Sequence, residues 1–410
     1  MNRNNALLVL PLTLLLALAG RAEAERTFRE SRHGDGELRY VQEIPLVVVR
    51  GTPEQLGRQQ AALTAAAADV ITTYPQSLLE TIGRADRWAK FLELGRPLFD
   101  RFPPDHRAEL EAFAAQSGID RELLLAVNVM VDTYRGGFGC SSLLIEPSRS
   151  ATGQPIFGRN LDFFTNRILQ KYSLLVIAHP RGKHAFASVA FPGMLGCFSG
   201  INDAGLALAT HEVLFTRDGS ALFDPEGIPY SMVFRRVLEE CADIEEAGRL
   251  LRSCPRTTMF SLAVCDRRRA AVFEMTPRRV EVRYAENGLL ACTNHFRTEP
   301  LATFVPALRY RTLMQSQRLA KVSVEDVARK LHEVNMGPLT VQTMIFEPGP
   351  LRLHLAIGAC PASALPLKPL DLAELFRPAR PSPDANSGGL KTPRRGNKML
   401  SSGRHAADAQ

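Results

Sequence analysis

Hydrophobic and polar positions change their rhythm once along the chain, near residue 140. Before that point apolar residues recur at helical spacing. Thr52-Pro53-Glu54 opens a helix, with Thr as N-cap and Pro in the first turn, and an alanine-rich stretch continues it to Val70. Helical patterns return over Pro75–Leu98, Ala108–Ala115 and Asp120–Met130. One strand precedes them, Leu38–Val49, rich in β-branched residues. Pro45 inside it argues for an edge position or a break. Arg26–Glu37 is polar and reads as loose.

After residue 140 the period shortens. Cys140–Ile145, Ile156–Phe163, Ser173–His179 and Ala185–Phe191 are brief apolar runs, separated by turn signals such as Thr152-Gly153 and Pro192-Gly193. Such runs with short connections predict antiparallel strands. Further strands are expected at Gly205–Ala209, Phe260–Val264, Ala270–Met275, Val280–Tyr284, Leu289–Cys292, Val341–Phe346 and Leu351–Ile357. Helical segments interrupt at Ser231–Leu251, Pro306–Leu319 and Ser323–His332, the last opened by the capping sequence Ser323-Val-Glu-Asp. Strands in blocks and helices in blocks predict a layered α+β fold of two antiparallel sheets covered by helices.

The ends of the chain are different in kind. Arg3, an apolar run from Leu7 to Gly20, and Ala22-Glu23-Ala24 have the layout of a secretory signal peptide, residues 1–24. The run is short for a membrane span, which needs about twenty residues, so the mature protein is expected to be exported, periplasmic or extracellular, without an integral membrane segment. Residues 377–410 are rich in Pro, Ser, Gly, Lys and Arg and are expected to be disordered. Part of the net charge of +7 sits in that tail, with no aromatic partners, which argues against a nucleic-acid role. Seven cysteines allow either a reactive thiol with up to three disulfides or mostly buried free thiols. Cys241 and Cys254 lie close enough in sequence to close a short loop, and no pair has metal-ligand spacing.

The candidate chemistry centres on Gly137-Phe-Gly-Cys-Ser-Ser142. If the chain is cut after Gly139, Cys140 carries thiol and α-amino group on one residue. An amine with a pKa of roughly 8 can then act as base on its own thiol, the activation that nucleophilic catalysis requires. Residue type alone favours a buried strand cysteine, but the surrounding glycines and hydroxyls shift that balance, and Gly139 allows close backbone approach. Arg159 and Asp162 follow in Gly158-Arg-Asn-Leu-Asp162. Three apart on a strand they face opposite sides, so a joint site calls for a bulge or turn; otherwise they are a minor surface ion pair. Gly200-Ile-Asn-Asp-Ala-Gly-Leu places a turn at Asn202–Gly205 and then a strand ending at His211 and Glu212. Thr293-Asn294-His295-Phe296 follows an apolar strand, and an asparagine amide there could donate to an oxyanion. Asn, Asp and Gly are also default turn residues, and both histidines read as structural.

In this order the four clusters resemble the penicillin acyltransferase family of N-terminal-nucleophile hydrolases, related to choloylglycine hydrolases, penicillin V acylases and acid ceramidases. The resemblance runs from about Gly51 to Ile357. It implies an αββα sandwich, self-cleavage between Gly139 and Cys140, and hydrolysis or transfer of an amide-linked acyl group through a Cys140 thioester, with no cofactor or metal. Residues 25–139 would then be a mostly helical part and 140–376 the catalytic part. Arg159 and Asp162 match the family's pair, Asn294 its oxyanion asparagine, and Glu212 a glutamate of the ceramidase-like branch. Arg309 matches a late active-site arginine, with Arg311 as fallback. Ser141 departs from a threonine frequent in the acyltransferase branch. The pair also lies further from the cysteine than in acid ceramidases, which a longer hairpin at Ser148–Gly153 accounts for.

Three readings compete. The first is an exported amidohydrolase acting on a small N-acyl amide. The second uses the same site for acyl transfer to an amine. The third is a secreted binding protein that keeps the fold uncleaved.

Overall fold

The computed structural model describes residues 26–166 and 168–377. The expected signal segment 1–24 and almost all of the expected basic tail lie outside the described residues. One sheet has ten strands in the order β1 (Ser31–His33), β2 (Gly36–Val41), β3 (Ile44–Gly51), β6 (Leu174–Pro180), β7 (Phe186–Ala190), β8 (Ser199–Asn202), β9 (Ala207–Glu212), β10 (Phe260–Cys265), β11 (Ala270–Met275) and β12 (Val280–Tyr284). The other has six: β13 (Leu289–Cys292), β4 (Phe138–Ile145), β5 (Ile156–Phe163), β14 (Thr340–Glu347), β15 (Arg352–Ala356) and β16 (Lys368–Asp371).

Strand alternation decides which side chains meet between the sheets. Leu46, Leu175, Ile177, Ala209 and Val272 from the large sheet pack against Leu144, Phe157, Leu290 and Phe346 from the small one. The opposite face of the large sheet is covered by α1 (Pro53–Thr72), α2 (Tyr74–Thr81), α5 (Arg121–Thr133), α6 (Tyr230–Glu240) and α7 (Ile244–Ser253). On the small sheet, Leu143, Ile145 and Ile345 pack against Leu313 of α8 (Leu308–Met314) and against Val327 and Leu331 of α9 (Val324–Glu333). The layers are therefore αββα, as expected. Three further helices complete the described residues: α3 (Trp88–Gly95), α4 (Pro104–Ser117) and a short α10 (Leu372–Leu375), with α4 stacked on α1 and α5. No helix among the described residues is long and apolar enough to cross a membrane.

Several elements follow directly from local chemistry. Thr52 caps α1 in a capping box with Gln55, and Ser323 does the same for α9 with Asp326. Asn202 N–H donates to Leu206 O and Gly205 turns at φ +87°, which makes the expected β8–β9 turn. The departures are equally physical. Leu38–Val49 is two strands, because Gln42 and Glu43 both take positive φ and reverse the chain. Pro45 sits one residue before the β3–β6 ladder begins at Leu46, so its missing N–H costs nothing there. The β3–β6 pair is parallel, a correction to the expectation of purely antiparallel sheets. All the helices α1–α5 and the β4–β5 hairpin intervene, a crossover long enough for parallel pairing. Ser231–Leu251 is broken at Cys241, where the chain turns extended between α6 and α7. All seven cysteines are free thiols, so Cys241 and Cys254 do not pair.

Candidate active site

β4 and β5 are paired in unbroken antiparallel register, Gly139 opposite Asp162, Cys140 opposite Leu161 and Ser142 opposite Arg159. On its other edge β4 pairs with β13, Ser142 opposite Cys292, which brings Asn294 just past the strand end alongside Cys140. β9 ends at Glu212, and α8 begins with Leu308-Arg309. Four separate elements thus deliver side chains to one peptide bond, that between Gly139 and Cys140.

The backbone of Cys140 is held at both ends. Cys140 N–H donates to Asn294 Oδ1 at 2.7 Å, and Arg309 Nη1 donates to Cys140 O at 2.8 Å. Arg309 also donates to Ser141 Oγ at 2.9 Å and, through Nη2, to Asn294 Oδ1 at 2.9 Å. Asn294 Nδ2 donates to Glu212 O at 2.9 Å and to Phe138 O at 3.3 Å. The Glu212 carboxylate accepts the backbone N–H groups of Gly136 at 2.9 Å and Phe138 at 3.0 Å, and ion-pairs with Arg135 at 3.4 Å. A side chain at 139 has no room: its Cβ would lie 2.4 Å from Met336 Sδ and 3.0 Å from Asp162 Cβ. The crowding at Gly139 comes mainly from the Met336 side chain.

Arg159 and Asp162 approach Cys140 from opposite faces of β5. Arg159 faces the sheet–sheet interior, donating from Nε to Ser199 Oγ at 2.7 Å and from Nη1 to Asn160 O at 2.9 Å. Asp162 faces α8 and α9, accepts from Thr340 Oγ1 at 2.6 Å and lies 3.5 Å from Arg309. The expected bulge in the pair's own strand is therefore not there. The irregularity falls in the neighbouring β14, between Thr340 and Gln342, where it presents Thr340 to Asp162. Both residues are fully buried, and a single strand serves the site from two sides.

Electrostatics in this uncut chain favour a protonated thiol. Burial pushes the Cys140 pKa up, while Arg159 and Arg309 pull it down and Asp162 adds to the rise. Burial also raises Asp162, against the Thr340 hydrogen bond and the two arginines. The α-amine is an amide here and cannot serve as a base. His211, completely buried on β9, is held neutral: burial and then the Arg159 charge push its pKa well below the usual value. Its ring nitrogens approach only backbone of Ser261 and Ala209, without good hydrogen-bond geometry. His295 pairs with Thr293 Oγ1 at 3.0 Å, and burial followed by the Arg297 charge takes its pKa down to about 4. Asn202 serves the turn and α6, donating to Leu238 O and Cys241 O.

The structure brings together Gly139, Cys140, Arg159, Asp162, Glu212, Asn294 and Arg309, all named from the sequence. Glu212 does not reach the thiol and grips the backbone two to four residues upstream. Arg311 is exposed and outside the cluster. Sequence reasoning missed Ser199, which aims Arg159, Thr340, which aims Asp162, and Arg135, whose Nη2 donates to Val213 O and Met259 O. Ser199 adjoins the Gly200-Ile-Asn motif and could have been found there; Thr340 and Arg135 carry no local signal.

Beside Phe138 lies an apolar crevice lined by residues including Leu161, Phe163, Phe191, Met194 and Phe198. About 320 Å³ of space, part of it open to solvent, lies among these side chains. Among the described residues no group of three or more His, Cys, Asp or Glu could hold a metal ion.

The αββα sandwich is the layering that the sequence resemblance implied. The acyl-coenzyme A:6-aminopenicillanic acid acyl-transferase family matches residues 149–344, the family expected from the sequence. The match takes in Arg159, Asp162, Glu212, Asn294 and Arg309 and begins after Cys140. A curated uncharacterized protein of Archaeoglobus fulgidus is 21% identical over 315 residues, covering 68% of this chain and 51% of that protein. The chain thus spans about half the length of the relative it matches. Among solved structures, an N-acylethanolamine-hydrolyzing acid amidase ortholog of Caenorhabditis elegans aligns at 18% identity and TM-score 0.41, over 51% of this chain and 93% of that one. A conjugated bile acid hydrolase of Clostridium perfringens aligns at 16% and 0.42, over 57% and 93%. A penicillin V acylase of Agrobacterium tumefaciens aligns at 11% and 0.36, over 57% and 87%.

Proposed function

We propose that this protein is an exported, self-processing cysteine amidohydrolase that cleaves small N-acyl amides through a thioester on Cys140. The observation that carries the reading is the grip on Cys140. Asn294 takes its N–H, Arg309 its carbonyl, and Arg159 lowers the pKa of its thiol against burial. A structural strand cysteine needs none of these.

Processing begins with Cys140 Sγ attacking the Gly139 carbonyl carbon. The C–N bond breaks, the amide nitrogen takes the thiol proton, and the acyl group passes to sulfur. Water then adds to the thioester, leaving a Gly139 carboxylate and a Cys140 with free thiol and free amine. In the processed enzyme that amine, held by Asn294 Oδ1, takes the thiol proton and the sulfur attacks the substrate's acyl carbon. The Asn294 Nδ2 hydrogen that makes only the long contact to Phe138 O turns to the oxyanion in each acylation, a contact of the kind worth several kcal/mol in acyl transfer. Water releases the acid. An amine in place of water would give the transferase outcome from the same thioester.

Intact mass and N-terminal sequencing of the purified protein test this. The expected result is a fragment beginning Cys140-Ser-Ser-Leu, absent from Cys140→Ala. Amidase activity that survives in Cys140→Ala would overturn it.

A further inference from the structure

Self-processing and substrate turnover pass through the same kind of covalent species, an acyl group on Cys140 Sγ. In the first the acyl group is the chain itself, ending Gly136-Gly137-Phe138-Gly139; in the second it is the substrate's. The seat in which those four residues lie is therefore an acyl seat already occupied, and its lining describes what it accepts.

That lining is selective. Glu212 accepts two backbone N–H groups two residues apart, from Gly136 and Phe138. Asn294 Nδ2 donates to the carbonyl between them and the scissile bond, Phe138 O. The Phe138 ring stacks on Phe163 with centroids 4.3 Å apart and meets Phe198 at 5.8 Å, at the mouth of the apolar crevice. Positions 137 and 139 are crowded, since a Cβ would stand 2.8 Å from the Phe163 ring at the first and 2.4 Å from Met336 Sδ at the second.

The seat can be vacated without loss of the helical segment. Arg135, just upstream, is anchored independently on Val213 O and Met259 O. Gly136 follows it at φ +94°, a conformation that glycine adopts freely. Beyond that hinge, residues 136–139 are held by Glu212, by Asn294 and by the first two pairs of the β4–β5 ladder, Phe138 with Phe163 and Gly139 with Asp162, at the fraying end of the strand. Once the Gly139–Cys140 bond is cut, the tail can swing out and leave an open carboxylate, an open amide and an open aromatic slot.

We infer that the processed protein takes peptide-type acyl groups in this seat, an aromatic residue followed by glycine, amide-linked to the leaving amine. The inference rests on the reading of Cys140 as a self-processing nucleophile. Glu212 reads the backbone N–H donors, the crevice reads the ring, and the two crowded positions disfavour substitution on either side of it.

The test uses wild-type protein whose Cys140 N-terminus has first been verified by mass, so that failure of processing shows before any peptide is added. The probes are acetyl-Gly-Gly-Phe-Gly 4-nitroanilide, its Gly-Gly-Ala-Gly counterpart, and decanoyl 4-nitroanilide. The expected result is cleavage of the Phe peptide at least tenfold faster in kcat/KM than the Ala peptide, with acetyl-Gly-Gly-Phe-Gly acid as a competitive inhibitor. Glu212→Gln should raise KM for the Phe peptide about tenfold, the worth of a hydrogen bond to a charged acceptor. If Glu212→Gln fails to process, the wild-type peptide series decides alone. Processed protein that turns over the decanoyl amide while millimolar peptide acid neither inhibits nor binds by calorimetry would overturn the inference.

Discussion

Asn294→Asp separates the two jobs that the structure gives one amide. Asn294 Oδ1 accepts from Cys140 N–H and Arg309 Nη2, and a carboxylate oxygen would keep both contacts, the second strengthened by charge. Nδ2 donates to Glu212 O at 2.9 Å and Phe138 O at 3.3 Å, and the aspartate cannot. The static cost is one sound hydrogen bond, one long one, and an oxygen left facing the Glu212 carbonyl, together about 1–3 kcal/mol. The kinetic cost is larger if the same donor stabilises the oxyanion, since removing one such donor slows acyl transfer about 10²- to 10³-fold. Self-processing is the assay: the unprocessed chain is refolded from denaturant, quenched in acid at intervals, and the fraction beginning at Cys140 is read by intact mass. Asn294→Asp should fold and process at least a hundredfold more slowly, and Asn294→Ala should do no better. A processing rate for Asn294→Asp within about threefold of wild type would refute the donor role, because the acceptor contacts alone would then suffice.

Two further predictions concern stability and are read in the Cys140→Ala background, where processing does not intervene. Gly139→Ala places a methyl 2.4 Å from Met336 Sδ and 3.0 Å from Asp162 Cβ; it should cost about 1–3 kcal/mol in denaturant unfolding. Met336→Ala in addition should restore part of that loss, because the sulfur can be removed and the strand cannot; an unchanged midpoint for Gly139→Ala alone would contradict the crowding. Glu239→Gln removes a buried carboxylate that accepts from Arg235 Nε at 2.7 Å, Lys183 Nζ at 2.8 Å and His106 at 3.0 Å. It should cost about 3–5 kcal/mol at pH 7. Burial pushes the Glu239 pKa up, but Arg235, His106 and Lys183 more than offset this and hold it well below the usual value. A depressed carboxylate stabilises the fold above its unfolded pKa of about 4.3 and loses that contribution as pH falls through the folded value. Urea unfolding from pH 7 to pH 3 should therefore show a steep acid loss in the parent and a shallower one in the variant; parallel curves would exclude the linkage.

Much of this fold and site was legible because it is written locally. Capping at Thr52 and Ser323, the Asn202–Gly205 turn and the alternating apolar runs each depend on neighbours a few residues away. The parts that misled were those where distant segments decide. A β-branched run from Leu38 to Val49 looks continuous until Gln42 and Glu43 turn it back. Pro45 signals an edge that exists only because the β6 ladder starts one residue later. Ser231–Leu251 keeps helical spacing across a break at Cys241, whose carbonyl accepts from Asn202 on a distant strand.

By itself, the sequence determined the order of helical and extended blocks, the glycine–cysteine peptide, and the identity of the residues that surround it, since residue types and short-range periodicity carry that information. Only the tertiary structure decided how they meet. Arg159 and Asp162 work together on opposite faces of a straight strand because one strand lies between two layers. Glu212 proves to be a clamp on the chain ahead of Cys140. Ser199, Thr340 and Arg135 acquire their roles from partners up to 178 residues away, and no local pattern records contacts made across that distance.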